Sequence, residues 1–278
     1  MTDNQNSKPQ PAPKTLQLVE VKWNRQESNG YYRIGLTCGP AYAQAIPGQF
    51  VTLHLPGTLT PLLRRPFSIH RLIRENGRVI GLEILYKVVG GFTEKLIRVS
   101  PGDPVDLLGP IGHGFTISGN FQKPAFVGGG IGVAPLVFLA DALIDSGLDP
   151  SGAAVFLGGR TADDILCADI FQSHGLHVKT ATDDGSLGEK GLVTRPVERW
   201  LASNRPDIIY ACGPMPMLRS VAEIARKNGL PCEVSIETVM ACGLGACLGC
   251  AVNKDDITGK YQHVCIDGPV FDPSVTVF

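Results

Sequence analysis

The sequence predicts a β barrel plus an α/β unit: an antiparallel barrel, a doubly wound parallel sheet, and a small C-terminal module built on cysteines. Three observations carry this. From about Thr15 to Thr116, short apolar runs with period-two alternation are cut by Gly and Pro, the pattern of short strands closing on themselves. From about Lys123, buried strands alternate with helical stretches, which is the grammar of a parallel sheet with crossovers. Near the C-terminus, Cys242-Gly243-Leu244-Gly245-Ala246-Cys247-Leu248-Gly249-Cys250 places three thiols among three glycines, with Cys265 further on. That run suits neither a helix nor a regular strand.

At 278 residues the chain is expected to hold about two domains and a small module. The boundaries read as a disordered tail over 1–14, a barrel over 15–118, an α/β unit over 119–236 and a cysteine module over 237–278. Lys plus Arg number 25 against 26 Asp plus Glu, so composition gives no argument for nucleic acid or an anionic membrane as partner. Met1 to Lys14 is polar and carries no apolar core of a signal peptide. The run Ala125 to Ile144 is long enough for a membrane, but four glycines, Pro135 and Asp141 make it a buried strand, turn and helix. Cys38, Cys167, Cys212 and Cys232 are scattered and read as reduced thiols of a cytoplasmic protein.

In the barrel, strands are expected at Leu16-Val19-Val21, Tyr32-Ile34-Leu36, Phe50 to Leu55 and Ile80 to Tyr86. The turns Pro47-Gly48-Gln49 and Pro101-Gly102-Asp103 each launch a strand. Thr93 is expected to cap a short helix through Leu96-Ile97. Two stretches look chemical. Arg64-Arg65-Pro66-Phe67-Ser68-Ile69 is one extended run in which Arg65 and Phe67 share a face and Pro66 and Ser68 share the other. Arg65 could grip a pyrophosphate and Ser68 could hydrogen-bond a flavin ring; alone, such a run more often arises as an edge strand with a solvated arginine pair. Lys87-Val88-Val89-Gly90-Gly91-Phe92-Thr93 runs from strand through two glycines into a helix start, a geometry that can cradle phosphate or be an ordinary turn.

In the α/β unit, Ala125-Phe126-Val127 runs into Gly128-Gly129-Gly130-Ile131-Gly132 and a helix to about Asp145. Further strands are expected at Ala153 to Leu157, Val178 to Thr180 and Ile208 to Ala211, with helices at Val193 to Leu201 and Pro216 to Lys227. The turn Cys212-Gly213-Pro214-Met215 ends one of these strands. Two glycine turns at strand carboxyl ends favour a dinucleotide site. Arg160 leaves NAD or NADP open.

The cysteine spacing C-x4-C-x2-C with a distant fourth Cys is that of plant-type [2Fe–2S] loops, so Cys242, Cys247, Cys250 and Cys265 are the expected metal ligands. A structural zinc site would normally use two shorter knuckles, and disulfides would need an oxidising compartment.

The series Arg65-Pro66-Phe67-Ser68, Gly90 to Thr93, Gly128 to Leu136 and Cys212-Gly213-Pro214 resembles the ferredoxin–NAD(P)+ reductase family. The run Glu237-Thr238-Val239-Met240-Ala241 into the cysteine loop, with Cys265-Ile266-Asp267-Gly268-Pro269-Val270-Phe271, resembles the electron-transfer subunits of class 1B dihydroorotate dehydrogenase. The resemblance implies FAD held by Arg65, Pro66, Phe67 and Ser68, with its phosphates near Gly90, Gly91 and Thr93. It implies a nicotinamide nucleotide, NAD, at Gly130, Gly132, Cys212, Gly213 and Pro214, and a [2Fe–2S] cluster on the four cysteines. The chain departs from the family at Phe92, where a second glycine is common, so a side chain there is placed to shift a phosphate contact. The implied activity is electron transfer from the FMN of a separate dihydroorotate dehydrogenase catalytic subunit through the cluster and FAD to NAD+, in pyrimidine biosynthesis. The implied assembly is a heterotetramer of two and two. The nearest alternatives are a small flavin and iron–sulfur subunit of another NAD(P)-linked complex, sulfide- or ferredoxin-linked, and a non-enzymatic zinc-binding module.

Overall fold

The computed structural model describes residues 14–58, 60–117, 121–254 and 259–274. The expected tail over 1–14 lies outside these, Lys14 apart.

The first seven strands are β1 (Thr15–Ser28), β2 (Tyr31–Thr37), β3 (Phe50–His54), β4 (Arg65–Ser68), β5 (Arg71–Glu75), β6 (Arg78–Lys87) and β7 (Pro104–Ile111), with helix α1 (Gly91–Leu96) between the last two. They form one sheet in the order β4-β3-β7-β1-β2-β6-β5, and every neighbouring pair is antiparallel. Its two edge strands are joined by only Ile69 and His70, and this pair ties the ends together: Ile69 N–H donates to Gln49 O (3.0 Å) and His70 N–H to Glu83 O (2.8 Å). The sheet therefore curls into the expected barrel. Val19, Val21, Ile34, Leu36, Val51, Leu53, Leu82, Ile84, Val105 and Leu107 fill its interior, the inward half of each alternation. The sequence reading missed β5, whose run Arg71–Glu75 carries two arginines and a glutamate on an edge where a half-exposed strand needs little apolar content.

The second sheet is built from β8 (Pro124–Gly129), β9 (Ala154–Gly159), β10 (His177–Thr182), β11 (Glu189–Lys190), β12 (Ile208–Cys212) and β13 (Cys232–Ser235). Helices α2 (Val133–Asp145), α3 (Ala168–Ser173), α4 (Thr194–Leu201) and α5 (Met215–Asn228) accompany them. Within the cysteine module, β14 (Ala251–Asn253) and β15 (Tyr261–His263) form a hairpin, and β16 (Val270–Phe271) leaves it to join the second sheet. That sheet has the order β11-β10-β9-β8-β12-β13-β16, parallel throughout except for β16, which runs antiparallel to β13. The chain leaves β8 toward β9 on one side and returns to β12 on the other, so the topological switch point lies between β8 and β12.

The two sheets and the cysteine module share cores. Phe50 and Ile111 of the barrel, Val234 and Ile236 of the parallel sheet, and Cys250, Val264 and Cys265 of the module belong to one apolar cluster. His113 N–H donates to Gly268 O (2.6 Å) and Ile236 N–H to Pro269 O (2.9 Å), so the segment before β16 is clamped from both sides. On the other side of the barrel, Arg71 makes a two-pronged ion pair with Asp141 of α2 (2.7 and 3.1 Å), and the buried His70 ring bonds Ala134 O through Nδ1 (2.9 Å).

Candidate functional site: three facing stations

Strand β4 carries the first station. Register pairs Phe50 with Ser68, Val51 with Phe67, Thr52 with Pro66 and Leu53 with Arg65. Cross-strand partners share a face, so Pro66 and Ser68 stand with Phe50 and Thr52 on the outside of the barrel, while Phe67 turns inward to the rings of Tyr86 (6.2 Å) and Phe92 (5.9 Å). All four residues Arg65 to Ser68 are half-buried. The two arginines differ in their commitments. Arg64 is spent on Asp106, donating to its carboxylate and its backbone oxygen. Arg65 has no ion pair among the described residues and donates only to Leu63 O and Arg64 O, leaving its guanidinium free for an anion.

The Gly-Gly turn between β6 and α1 departs from the expectation that Thr93 caps the helix. The helix begins at Gly91, and Thr93 lies one turn inside it. The Thr93 hydroxyl accepts from Val89 N–H (2.9 Å) and Gly90 N–H (3.2 Å) and donates to Gly90 O (2.9 Å), so it closes the helix start from the third helical position while Gly90 holds the N-cap. A Cβ added at Gly90 or Gly91 would meet no atom within 4 Å, which leaves an open cradle beside the backbone. Phe92 is buried against Phe67, so its side chain points into the barrel and away from that cradle. The departure at Phe92 therefore leaves the cradle clear.

At the switch point, a cavity of about 510 Å³ opens between the barrel and the parallel sheet. Gly129, Gly130, Gly132, Gly213 and Pro214 line it, as the sequence predicts for four of the five expected residues. Cys212, the fifth, is buried beneath and its thiol is pushed up by desolvation. Its backbone is what matters, because a Cβ on Gly132 would sit 2.4 Å from Cys212 O. The two turns can nest only without that side chain. The sequence reading missed the barrel's share of this cavity, Tyr31 and Lys87, and also Asp164, which meets them from the nucleotide half. Lys87 stood at the edge of a stretch already singled out; Tyr31 and Asp164 carried no motif.

In the cysteine module, left-handed backbone at Gly243 (φ +68°), Gly245 (φ +84°) and Leu248 (φ +59°) folds the loop back on itself. The Leu244 and Cys247 N–H groups point at Cys242 Sγ (3.3 and 3.4 Å) and hold its thiol down at about 6. Cys250 and Cys265, buried, face each other with sulfurs 3.2 Å apart; burial, with the neighbouring thiol, pushes Cys265 up to about 12. The thiols thus come as two pairs, a donor set that fits a dinuclear cluster with two thiolates for each iron; among the described residues no three donors are gathered as around a single ion. Gly243 lies against Thr52, 3.2 Å from its Cγ2 to an added Cβ. Thr52 is the register partner of Pro66, so the cysteine loop packs one strand away from the first station.

Among the described residues, no helix is long and apolar enough to cross a membrane.

Comparison with known proteins agrees with this layout. Residues 237–275 match the iron–sulfur cluster binding domain of dihydroorotate dehydrogenase B, and residues 126–223 match the oxidoreductase NAD-binding domain. The electron transfer subunit of dihydroorotate dehydrogenase B (NAD+) from Desulforamulus reducens is 42% identical over 230 residues, covering 82% of this chain and 85% of that protein. The corresponding subunit of Caldanaerobacter subterraneus subsp. tengcongensis is 39% identical, with 81% and 84% covered. Among solved structures, a chain of the NADH-dependent reduced ferredoxin–NADP oxidoreductase superposes with a TM-score of 0.80 at 29% identity, over 94% of this chain and 90% of that one. A ferredoxin NADP+ reductase from Neisseria gonorrhoeae, with bound FAD and NADP, shares the fold at 14% identity (TM-score 0.62, covering 77% and 92%).

Proposed function

Because the chain belongs to the family of electron transfer subunits of NAD+-linked dihydroorotate dehydrogenase B, we propose that it carries electrons from a separate catalytic subunit to NAD+, using a [2Fe–2S] cluster and FAD. When bound, the cluster exchanges single electrons, FAD exchanges one or two, and NAD+ takes up a hydride. The protein's own contribution is placement. Cys242, Cys247, Cys250 and Cys265 would hold the cluster, with the Leu244 and Cys247 N–H groups oriented on one thiolate. Arg65 would neutralise the FAD diphosphate, Gly90 and Gly91 would let it approach, Thr93 would brace that turn, and Pro66 and Ser68 would form the ledge for the ring, with Phe67 packed behind it inside the barrel. Gly130, Gly132, Gly213 and Pro214 would line the nicotinamide nucleotide's path, set by the backbone of Cys212. The working division is FAD on 15–118, NAD on 119–236 and the cluster on 237–278.

The observation that carries this reading is the contact of Gly243 with Thr52, whose strand partner is Pro66. The thiol loop thus lies on the same outer face of the barrel as Pro66 and Ser68, the residues this reading gives to the flavin, while the switch-point cavity opens beside the barrel's β2 and β6. The partner would be the FMN-bearing catalytic subunit, in a heterotetramer of two and two, acting in pyrimidine biosynthesis. The chain's described strands are accounted for by the barrel sheet, the parallel sheet and the β14–β15 hairpin. None of these is the eight-stranded (β/α) barrel of ~250 residues that could hold FMN and substrate.

A second reading, a subunit of a ferredoxin-linked NAD(P) complex, is favoured by the solved chain at 29% identity. One assay separates them. The purified chain is given dihydroorotate and NAD+ alone, then with the FMN subunit of dihydroorotate dehydrogenase. Turnover on mixing only is expected, together with NADH-dependent reduction of an artificial acceptor by the chain alone. Dihydroorotate turnover by the chain alone, or none after mixing, would sink the proposal.

A further inference from the structure

One wall of the switch-point cavity belongs to the barrel. Tyr31 opens β2 and Lys87 closes β6, so both project from strand ends. Opposite them, Asp164 ends the one-turn helix Ala162–Asp164 that follows β9. Tyr31 Oη donates to Asp164 Oδ1, and Lys87 Nζ donates to Tyr31 Oη (2.6 Å) while lying 3.4 Å from the same carboxylate oxygen. The other oxygen, Oδ2, accepts from the N–H groups of Arg160 (3.0 Å) and Thr161 (3.3 Å). Both Tyr31 and Asp164 are buried. A Cβ on Gly130 would find only Tyr31 Oη, at 3.9 Å, so the phenol stands across an open gap from the glycine turn.

A carboxylate on the wall of a site for a diphosphate is a liability by Coulomb's law alone. Here its oxygens are saturated from within the protein. Burial pushes the carboxyl of Asp164 up, but the hydrogen bonds from Tyr31, Arg160 and Thr161 and the charge of Lys87 outweigh this and hold it below the ordinary range. The carboxylate is thus spent on holding its neighbours. Arg160 Nε lies 3.7 Å from Asp164 Oδ2, and Arg160, Asp183 and Glu237 also line the cavity; from the barrel, the Lys87 ammonium lines it opposite the turn Gly130 to Gly132.

We propose that Asp164 is a positioning residue for the dinucleotide, holding Tyr31 and Lys87 of the barrel opposite Gly130 so that both domains grip the ligand's diphosphate at once. The proposal rests on the reading of this cavity as the NAD site. A ligand that spans the gap then stabilises the two domains in this arrangement, whereas one that reaches only the nucleotide half does not.

Asp164→Asn keeps the shape and removes one negative charge, and the two accounts of Asp164 then predict opposite signs. Charge alone makes an anionic ligand bind more tightly. Loss of positioning makes it bind more weakly, because Lys87 is no longer held. The test is titration of the cofactor-loaded chain with NAD+ and separately with AMP, followed by calorimetry. The expected result for Asp164→Asn is an NAD+ dissociation constant raised about tenfold, AMP affinity unchanged, and partial recovery in Asp164→Glu. NAD+ binding that is unchanged or tighter would overturn the proposal, as would equal weakening for NAD+ and AMP, which would mark a merely structural role in the nucleotide half. Failure of the unaltered chain to bind NAD+ would remove the dinucleotide reading itself and this proposal with it. Should Asp164→Asn not fold, Lys87→Gln and Tyr31→Phe leave the carboxylate in place and carry the same NAD+-selective loss; unchanged affinity in both would be decisive against it.

Discussion

Gly112 is where the barrel meets the cysteine module, and Gly112→Ala should loosen the module without touching any thiol. The residue sits at φ +82°, and an added Cβ would lie 2.5 Å from Gly268 O and 2.7 Å from Pro269 Cδ. Both obstacles belong to chain that is itself tied down, since His113 N–H donates to Gly268 O and Ile236 N–H donates to Pro269 O. The left-handed conformation costs an L-residue about 1–2 kcal/mol. Displacing Gly268 O loses a hydrogen bond worth about 1 kcal/mol. The sum, about 2–3 kcal/mol, should lower the thermal midpoint by about 4–12 °C at the ~2–4 °C per kcal/mol expected for a large domain. Gly57→Ala supplies the control, because Gly57 has φ +74° but an added Cβ would meet no atom of the described residues within 4 Å, and so reports the backbone cost alone. The assay is calorimetry of both variants with iron and flavin analysis of each. A Gly112→Ala midpoint no lower than that of Gly57→Ala, at an unchanged iron-to-flavin ratio, would refute the clamp.

Arg65→Ala should weaken FAD binding about ten- to hundredfold, the loss of a charge-assisted contact of about 1.5–3 kcal/mol; unchanged affinity in a flavin titration would remove Arg65 from the site. Cys247→Ser should abolish cluster assembly while flavin stays bound, and full iron and sulfide occupancy would refute the ligand assignment. His70 gives a pH dependence. Burial holds its ring down at about 3 although Ala134 O accepts from Nδ1–H, and its Nε2 has no partner among the described residues. Below the unfolded value near 6.5, only the unfolded chain takes up this proton, so stability is intact above about pH 6.5 and falls as pH drops toward 3. Between pH 7 and 5 this group alone should cost about 2 kcal/mol, and denaturant titrations of His70→Gln should lack that slope. An identical slope in the variant would exonerate the histidine.

The parts legible in sequence were those whose chemistry is local. Alternation marked the barrel interior at Val51 and Leu53, and the glycine runs marked the switch point because tight turns need glycine at Gly130 and Gly132 whatever lies across from them. Cysteine spacing gathered Cys242, Cys247, Cys250 and Cys265 into one loop region. What stayed hidden depends on residues far apart in the chain. Asp164 acquires its role only from Tyr31 and Lys87, on strands that precede it by 133 and 77 positions. Thr93 looked like a helix cap because its type suits that task, yet the preceding Gly-Gly turn bends back far enough for its hydroxyl to reach Val89 and Gly90. Strand β5 escaped because an edge strand can be almost wholly polar.

The antiparallel strand β16 has a practical consequence for anyone dissecting the molecule. Val270 and Phe271 cover the outer side of β13, pairing with Ser235 and Val234. A fragment cut after residue 236 would keep both larger domains but uncover that rim, a strand with unspent backbone donors and acceptors. Exposed rims of this kind recruit further chains by edge-to-edge pairing. Such a fragment would be better made by retaining the strand through a short designed linker, or by placing a lysine or proline on β13, than by truncation.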